Sequence, residues 1–357
     1  GSCAVPGCTS AAITLNRPLT VTVQDSTGVA LSGIAVTAID SSGNSTVMAN
    51  TNASGQTARS FPTETYRFTL VSNGFTFASS PTPNCAYPSA CLSATITVDR
   101  VYVTVVDDTG APANGVAVTA LESSGTNTAM GSTAGAGQTV RALGAGSYRF
   151  RVTYNGTSFY SAATFNCAVP GCTSATITVN RPVTITVTDD TGTPIGGVMV
   201  QYEDAANPGI WNNTANTNAS GQVVRSLATA NVRFRVTYNS GVFYSGAAGS
   251  CAIPGCTTAS ITANRPIAIT LTSSSASNAN ANGKTIQYWD PSTSTWTNTP
   301  GGNTAGAVNG VVTKTVSLPI SATTYFRVLV GGTYYYSNGS ANCAYPTSCL
   351  TAAITIP

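Results

Sequence analysis

Residues 167–182 read CAVPGCTSATITVNRP, and the same phrase stands at 3–18 as CAVPGCTSAAITLNRP and at 85–100 as CAYPSACLSATITVDR. It opens again at Cys251 and at Cys343, a beat of roughly 82 residues that stretches in the last interval, and such a period marks a repeat architecture. A second phrase keeps the same beat: QDSTG around Asp25, then DDTG from Asp107 and from Asp189. Next come SGQTARS, AGQTVRA and SGQVVRS, then YRFTLVSNGFTFAS, YRFRVTYNGTSFYS and VRFRVTYNSGVFYS. The fourth copy is looser, with LTSSSASNANANGKTIQYWD in place of the Asp-Thr-Gly turn and Lys314 where the others have Arg59, Arg141 and Arg225.

Inside each copy the hydrophobic period is two, as in LTVTVQD, VYVTVVDD and VTITVTDD, and Gly, Asn, Asp and Pro clusters bound these runs. That is the pattern of half-buried strands joined by turns, and no segment shows a sustained helical period. In Tyr148-Arg149-Phe150-Arg151-Val152 the apolar side chains should face a core and both arginines the opposite side. About seven short strands per repeat predict an all-β chain of tandem immunoglobulin-like sandwiches. The Asn-Arg-Pro at 16–18, 180–182 and 264–266, with Asp99-Arg100-Val101 as its variant, falls where one sandwich should end. Proline restricts the backbone there and cannot donate to a ladder. The expected division is 18–99, 100–181, 182–265 and a divergent 266–357, joined by linkers short enough to make a rod-like array. Residues 1–17 repeat a closing phrase without its body, so they are expected to close a preceding repeat or to be a strand donated to a neighbour; the first fits better, because the same junction follows them.

The pattern V-x-V-x-D-x-x-G-x-P-x-x-G-V-x-V, then T-x-x-S-G-Q, then Y-R-F-R-V-x-Y-x-G, clearest in residues 183–245, resembles the transthyretin-like or carboxypeptidase-regulatory-like sandwich. It is also similar to that sandwich's relative, the B-type repeat of bacterial surface adhesins and pilins. The resemblance covers all four copies, weakly in the last, and its motifs are turn and core signatures that specify fold better than function. It implies a bacterial surface protein. Many adhesin repeats of that type carry a Lys to Asn isopeptide bond, but the only lysines here are Lys284 and Lys314, which excludes that crosslink from the first three repeats.

Cysteine offers a substitute. Ten cysteines form five close pairs, the arithmetic of disulfides in an oxidising compartment: Cys3 with Cys8, Cys85 with Cys91, Cys167 with Cys172, Cys251 with Cys256, and Cys343 with Cys349. Each pair brackets a Pro-containing turn, which favours bonding within the pair. A metal site would need two further ligands per pair, and the chain has no histidine. No cofactor is expected.

Charge is scarce: 8% of the 357 residues are charged, against about 25% in an average soluble protein. A net charge of +3 supplies no electrostatic footprint for nucleic acid. No apolar run approaches the roughly 18 residues that span a membrane, and the N-terminus lacks the blocks of a signal peptide, so an export signal is expected to lie upstream or to have been removed. Without histidine there is no Ser-His-Asp or Cys-His system, and the few acids sit in repeated turns. Asp107, Asp108, Asp189 and Asp190 are therefore read as hairpin-turn residues before protease or calcium ligands.

Aromatic residues are the better candidates for ligand or interface contact: Trp211, Trp289 and Trp296 in the variable stretches of the last two repeats, and the run Tyr334, Tyr335, Tyr336. Sequons at Asn44, Asn52, Asn155, Asn212, Asn218 and Asn338 permit glycosylation, although short matches arise by chance in so Asn-, Ser- and Thr-rich a chain. The functional expectation is a secreted, non-catalytic structural protein of an extracellular filament, sheath or cell-surface stalk, associating with itself head-to-tail or laterally. The alternative is an adhesin that binds a surface glycan or protein through its divergent last domain.

Overall fold

The computed structural model describes residues 15–80, 85–337 and 343–357. Cys3, Cys8, most of segment 1–17 and Asn338 lie outside the described residues. Apart from one helical turn, the regular secondary structure of the described residues is all β-strand, and the chain divides into two compact units, residues 1–154 with 158–179, and residues 155–157 with 180–357. Each unit holds two hydrophobic cores.

In the first unit the second repeat keeps its two sheets separate and shows the plan most plainly. Its opening strand Arg100–Asp107 pairs antiparallel with Gln138–Ala142 and parallel with the closing strand Ser174–Val179. A second sheet runs Asn127–Ser132, Ala117–Glu122, Gly146–Tyr154, Thr157–Tyr160, and the short strand Cys167–Val169 pairs with the start of Gly146–Tyr154. Alternation decides which side chains face inward. Val101, Val103, Val105, Ile177 and Val179 from the first sheet meet Val118, Met130, Tyr148, Phe150 and Val152 from the second. Arg149 and Arg151 stand on the other face, half-buried. The layers thus make a β-sandwich with an apolar centre. Its partition puts the first, fourth and last strands together, whereas an immunoglobulin constant-type sandwich groups its first, second, fourth and fifth.

The first repeat follows the same plan, with Leu19–Asp25 between Gln56–Arg59 and Ser93–Val98. Its strand Phe75–Ser80 also bonds Ser93–Val98 through Ser79 and Ile96, so the two layers join at that edge. The S-G-Q and A-G-Q phrases gain their physical reason here. Gly55 and Gly137 have φ of +70° and +74°, their carbonyls accept from Val23 and Val105 at 2.7 and 2.8 Å, and a Cβ at either would collide with the Val23 or Val105 carbonyl oxygen. Only glycine fits such a left-handed close approach.

The second unit repeats this plan in the third copy, with Val183–Asp189 between Gln222–Arg225 and Thr258–Ala263. Its fourth copy pairs Ile267–Ser273 with Val311–Val316 and Thr351–Ile356. One departure from the sequence expectation lies here. The fourth copy keeps the turn itself, with Ala276 N–H donating to Ser273 O at 3.0 Å, but just after it residues Asn278–Ala281 form a single helical turn, N-capped by Ser277, that seats Ala281 in the core. Four residues are too few to show a helical period, so periodicity had no signal to offer.

Candidate functional site

The face that each four-stranded sheet turns away from its core is lined by every second residue of its strands. In the third repeat that rule brings Gln201 and Glu203 of Met199–Asp204 beside Asn213 and Trp211 of Trp211–Asn216, and beside Arg235 and Arg233 of Ala230–Tyr238. Arg235 lies 4.0 Å above the Trp211 ring and its Nε donates to Gln201 Oε1 at 2.8 Å, while Gln201 Nε2 donates to Asn213 Oδ1 at 2.8 Å. Arg233 stacks 4.9 Å over Tyr244 and its Nε donates to Glu203 Oε2 at 2.6 Å. The Gly209 N–H first, and the Arg233 guanidinium second, hold the Glu203 carboxyl below the usual carboxylate range.

The fourth repeat rebuilds the same device. Arg327 is clasped between Trp296 at 4.0 Å and Tyr334 at 3.9 Å, its Nε donates to Gln287 Oε1 at 2.9 Å, and Gln287 Nε2 donates to Asn298 Oδ1 at 3.0 Å. Around Trp296 gather Trp289 at 5.7 Å, Tyr325 at 4.9 Å and Tyr336 at 5.9 Å. Tyr335 turns inward onto the core, while Tyr334 and Tyr336 are 42% and 46% exposed. The structure therefore gathers Trp289, Trp296, Tyr334 and Tyr336 on one sheet face and sets Trp211 in the matching place on the third repeat. Each cation–π contact is worth about 0.5–1 kcal/mol at such exposure, so the array is a fixed platform of edges and faces suited to stacking. The Gln, Asn and Arg members were not anticipated. Their signal was the Gln-Tyr that recurs at 201–202 and 287–288, two residues that look unremarkable until the repeats are aligned.

The repeated turns are structural. Asp189 Oδ1 accepts from Thr191 N at 2.8 Å, Thr191 Oγ1 at 2.6 Å and Thr193 N at 2.9 Å, and Gly192 has φ of +87°. Burial pushes its pKa up, but these bonds outweigh burial and leave it lowered. Asp25 and Asp107 hold the same bonds. Asp190 takes a different part: it accepts from Arg265 N at 2.8 Å and from Arg265 Nε at 3.1 Å.

The Asn of the Asn-Arg-Pro phrase is a cross-brace. Asn264 Nδ2 donates to Leu318 O at 2.9 Å and Ile320 O at 2.6 Å, Asn180 Nδ2 to Leu227 O at 2.8 Å, and Asn16 Nδ2 to Phe61 O at 3.1 Å. Tyr345 locks the same place, donating to Arg265 O at 2.6 Å and accepting from Leu318 N at 2.9 Å. Burial pushes its hydroxyl up to about 12, so it remains a donor throughout the neutral range.

Disulfides join Cys85 to Cys91, Cys167 to Cys172, Cys251 to Cys256 and Cys343 to Cys349. The proline peptides inside these four loops are cis. Of the sequon residues, Asn44, Asn52, Asn155, Asn212 and Asn218 are exposed. Lys314 Nζ donates to Thr299 Oγ1 at 2.8 Å and to the Gly302 carbonyl, and burial lowers its pKa. Among the described residues no helix is long and apolar enough to cross a membrane, and no cluster of three His, Cys, Asp or Glu side chains is placed to hold a metal.

No protein-family model matches the chain, and no curated protein matches it. Among solved structures, the Bacillus anthracis TIE protein is similar at 8% identity, with a TM-score of 0.20, over 90% of this chain and 66% of its own length. A streptococcal ancillary pilin is similar at 12% identity, with a TM-score of 0.23, over 69% of this chain and 99% of its own. BcpA, the major pilin subunit of Bacillus cereus, is similar at 10% identity, with a TM-score of 0.19, over 72% of this chain and 98% of its own. At such identities and scores these are likenesses, and no role passes from them to this chain.

Proposed function

We propose that the chain is a non-catalytic structural segment of an extracellular filament, sheath or cell-surface stalk, made of tandem transthyretin-like sandwiches near 18–99, 100–181, 182–265 and 266–357. The observation that carries this reading is the braced junction of the second unit. Asn264, Arg265 and Tyr345 tie the linker to the repeats on both sides of it, and the Arg265 fork is anchored on Asp190 at 3.1 Å. A binding module on a tether has no use for so many bonds across one peptide, whereas a segment that transmits tension does. Disulfides inside each repeat fit an oxidising exterior. Scarce charge leaves little repulsion between neighbouring copies, which favours self-association.

A second reading has its own observation. The aromatic face of the divergent repeat, with Tyr334 and Tyr336 exposed beside the half-buried Trp289 and Trp296, suits stacking on sugar rings, as an adhesin would use. Negative-stain images of the purified chain at rising concentration separate the two. Polymers or lateral bundles support the structural reading. Isolated particles at every concentration, together with glycan-array binding that Trp296→Ala abolishes, would replace it with the adhesin.

A further inference from the structure

Neighbouring repeats within each unit meet in one way. The hairpin between the fifth and sixth strands of one repeat plugs into the loop after the fourth strand of the next. In the first unit the plug is the turn Asn73–Gly74 with Phe75, which packs on both cores, and the socket is Arg141–Gly144. A Cβ at Gly144 would come within 2.7 Å of the Phe75 ring, so glycine there makes room for an aromatic plug. In the second unit the plug is Asn239–Ser240 with Gly241. Asn239 O accepts from Ser317 N at 3.0 Å, and a Cβ at Gly241 would collide with the Ser317 carbonyl oxygen. The socket residues Ala142 and Ser317 are 1% and 0% exposed.

The first repeat has the corresponding loop, with Pro62 where the second has Gly144 and the fourth has Pro319. The carbonyl braced by the junction asparagine is Leu318 in the fourth repeat and Phe61 in the first, which makes Ser60 the counterpart of Ser317. Ser60 is exposed, and beside it Leu15, Pro18 and Pro62 line an open concavity. The fourth repeat has the plug. Gly331 and Gly332 form a two-residue turn with φ of +55° and +85°, close to the +52° and +86° of Asn73 and Gly74. A Cβ added at either glycine would meet nothing within 4 Å.

We propose that the surface around Ser60, Leu15, Pro18 and Pro62 receives the Gly331–Gly332 hairpin of a second copy of this chain. The contact keeps the backbone bond of the second-unit junction, the Gly331 carbonyl accepting from Ser60 N–H as Asn239 accepts from Ser317, and Thr333 takes the place that Phe75 has in the first unit. This rests on the self-assembly reading and names the surface that assembly uses.

Two chains, one carrying Ser60→Cys and the other Thr333→Cys, are mixed at rising concentration in a glutathione redox buffer. Non-reducing electrophoresis with peptide mapping reads the product, and sedimentation velocity of the parent chain and of Ser60→Arg is run alongside. A 60–333 adduct several-fold more abundant in the mixture than either homodimer, with self-association weakened at least tenfold by Ser60→Arg, supports the contact. Residue 60 is exposed, so the arginine variant should fold, and circular dichroism checks that. If the parent chain assembles, no 60–333 adduct forms and Ser60→Arg assembles as the parent does, the contact is overturned while the filament reading stands. If the parent chain stays single at every concentration, both fall.

Discussion

Gly137 shows how a single residue holds a sandwich together. Its positive φ and the approach of the Val105 carbonyl leave no volume for a methyl group, so Gly137→Ala must displace the first strand of its repeat. The expected cost is about 1–3 kcal/mol, of the size that left-handed strain imposes, and urea unfolding of the variant measures it. Glu203 gives a pH-dependent counterpart. Its carboxyl is held below the ordinary 4.5 by the Gly209 N–H and Arg233. A depressed folded-state pKa contributes stability that is fully present above the unfolded value and lost as pH falls through the folded one. The melting temperature should therefore fall with pH below about 4.5 less steeply in Glu203→Gln than in the parent. Parallel slopes would show that the Arg233 pair contributes nothing measurable.

At the scale of elements, each sandwich is expected to stand on its core, with its disulfide as a supplement. Phe150 is fully buried between two sheets, and Phe150→Ala should cost about 3–5 kcal/mol. Closing a six-residue loop contributes only about 2 kcal/mol in the chain-entropy description. Reduction should accordingly lower the melting temperature and leave the β-sheet circular dichroism at room temperature; a disordered spectrum would contradict this. The strands were legible in the sequence because a half-buried sheet writes its period into the chain, as in Val101, Val103 and Val105. The sheet partition was not, since parallel pairing of the first and last strands joins residues some seventy positions apart and leaves no local mark. The aromatic candidates were visible as residue types. Their assembly around Arg235 and Arg327 was not, because cross-strand register sets it.

For the whole molecule, the claim that matters is mechanical: tandem sandwiches, each with its own core, joined through braced junctions. The four cores and the repeat period support it, and the bonds of Asn264 to the fourth repeat and of Arg265 to Asp190 of the third say why the junction within the second unit should not act as a loose tether. Pulling the intact chain by its ends in a force spectrometer tests this most directly. A domain of this size releases on the order of 25 nm of chain when it unfolds, at about 3.5 Å per residue. The expected trace is a sawtooth of separate force peaks at that spacing, one for each of the four proposed sandwiches. A single cooperative rupture of the whole length, or smooth extension without peaks, would contradict the account.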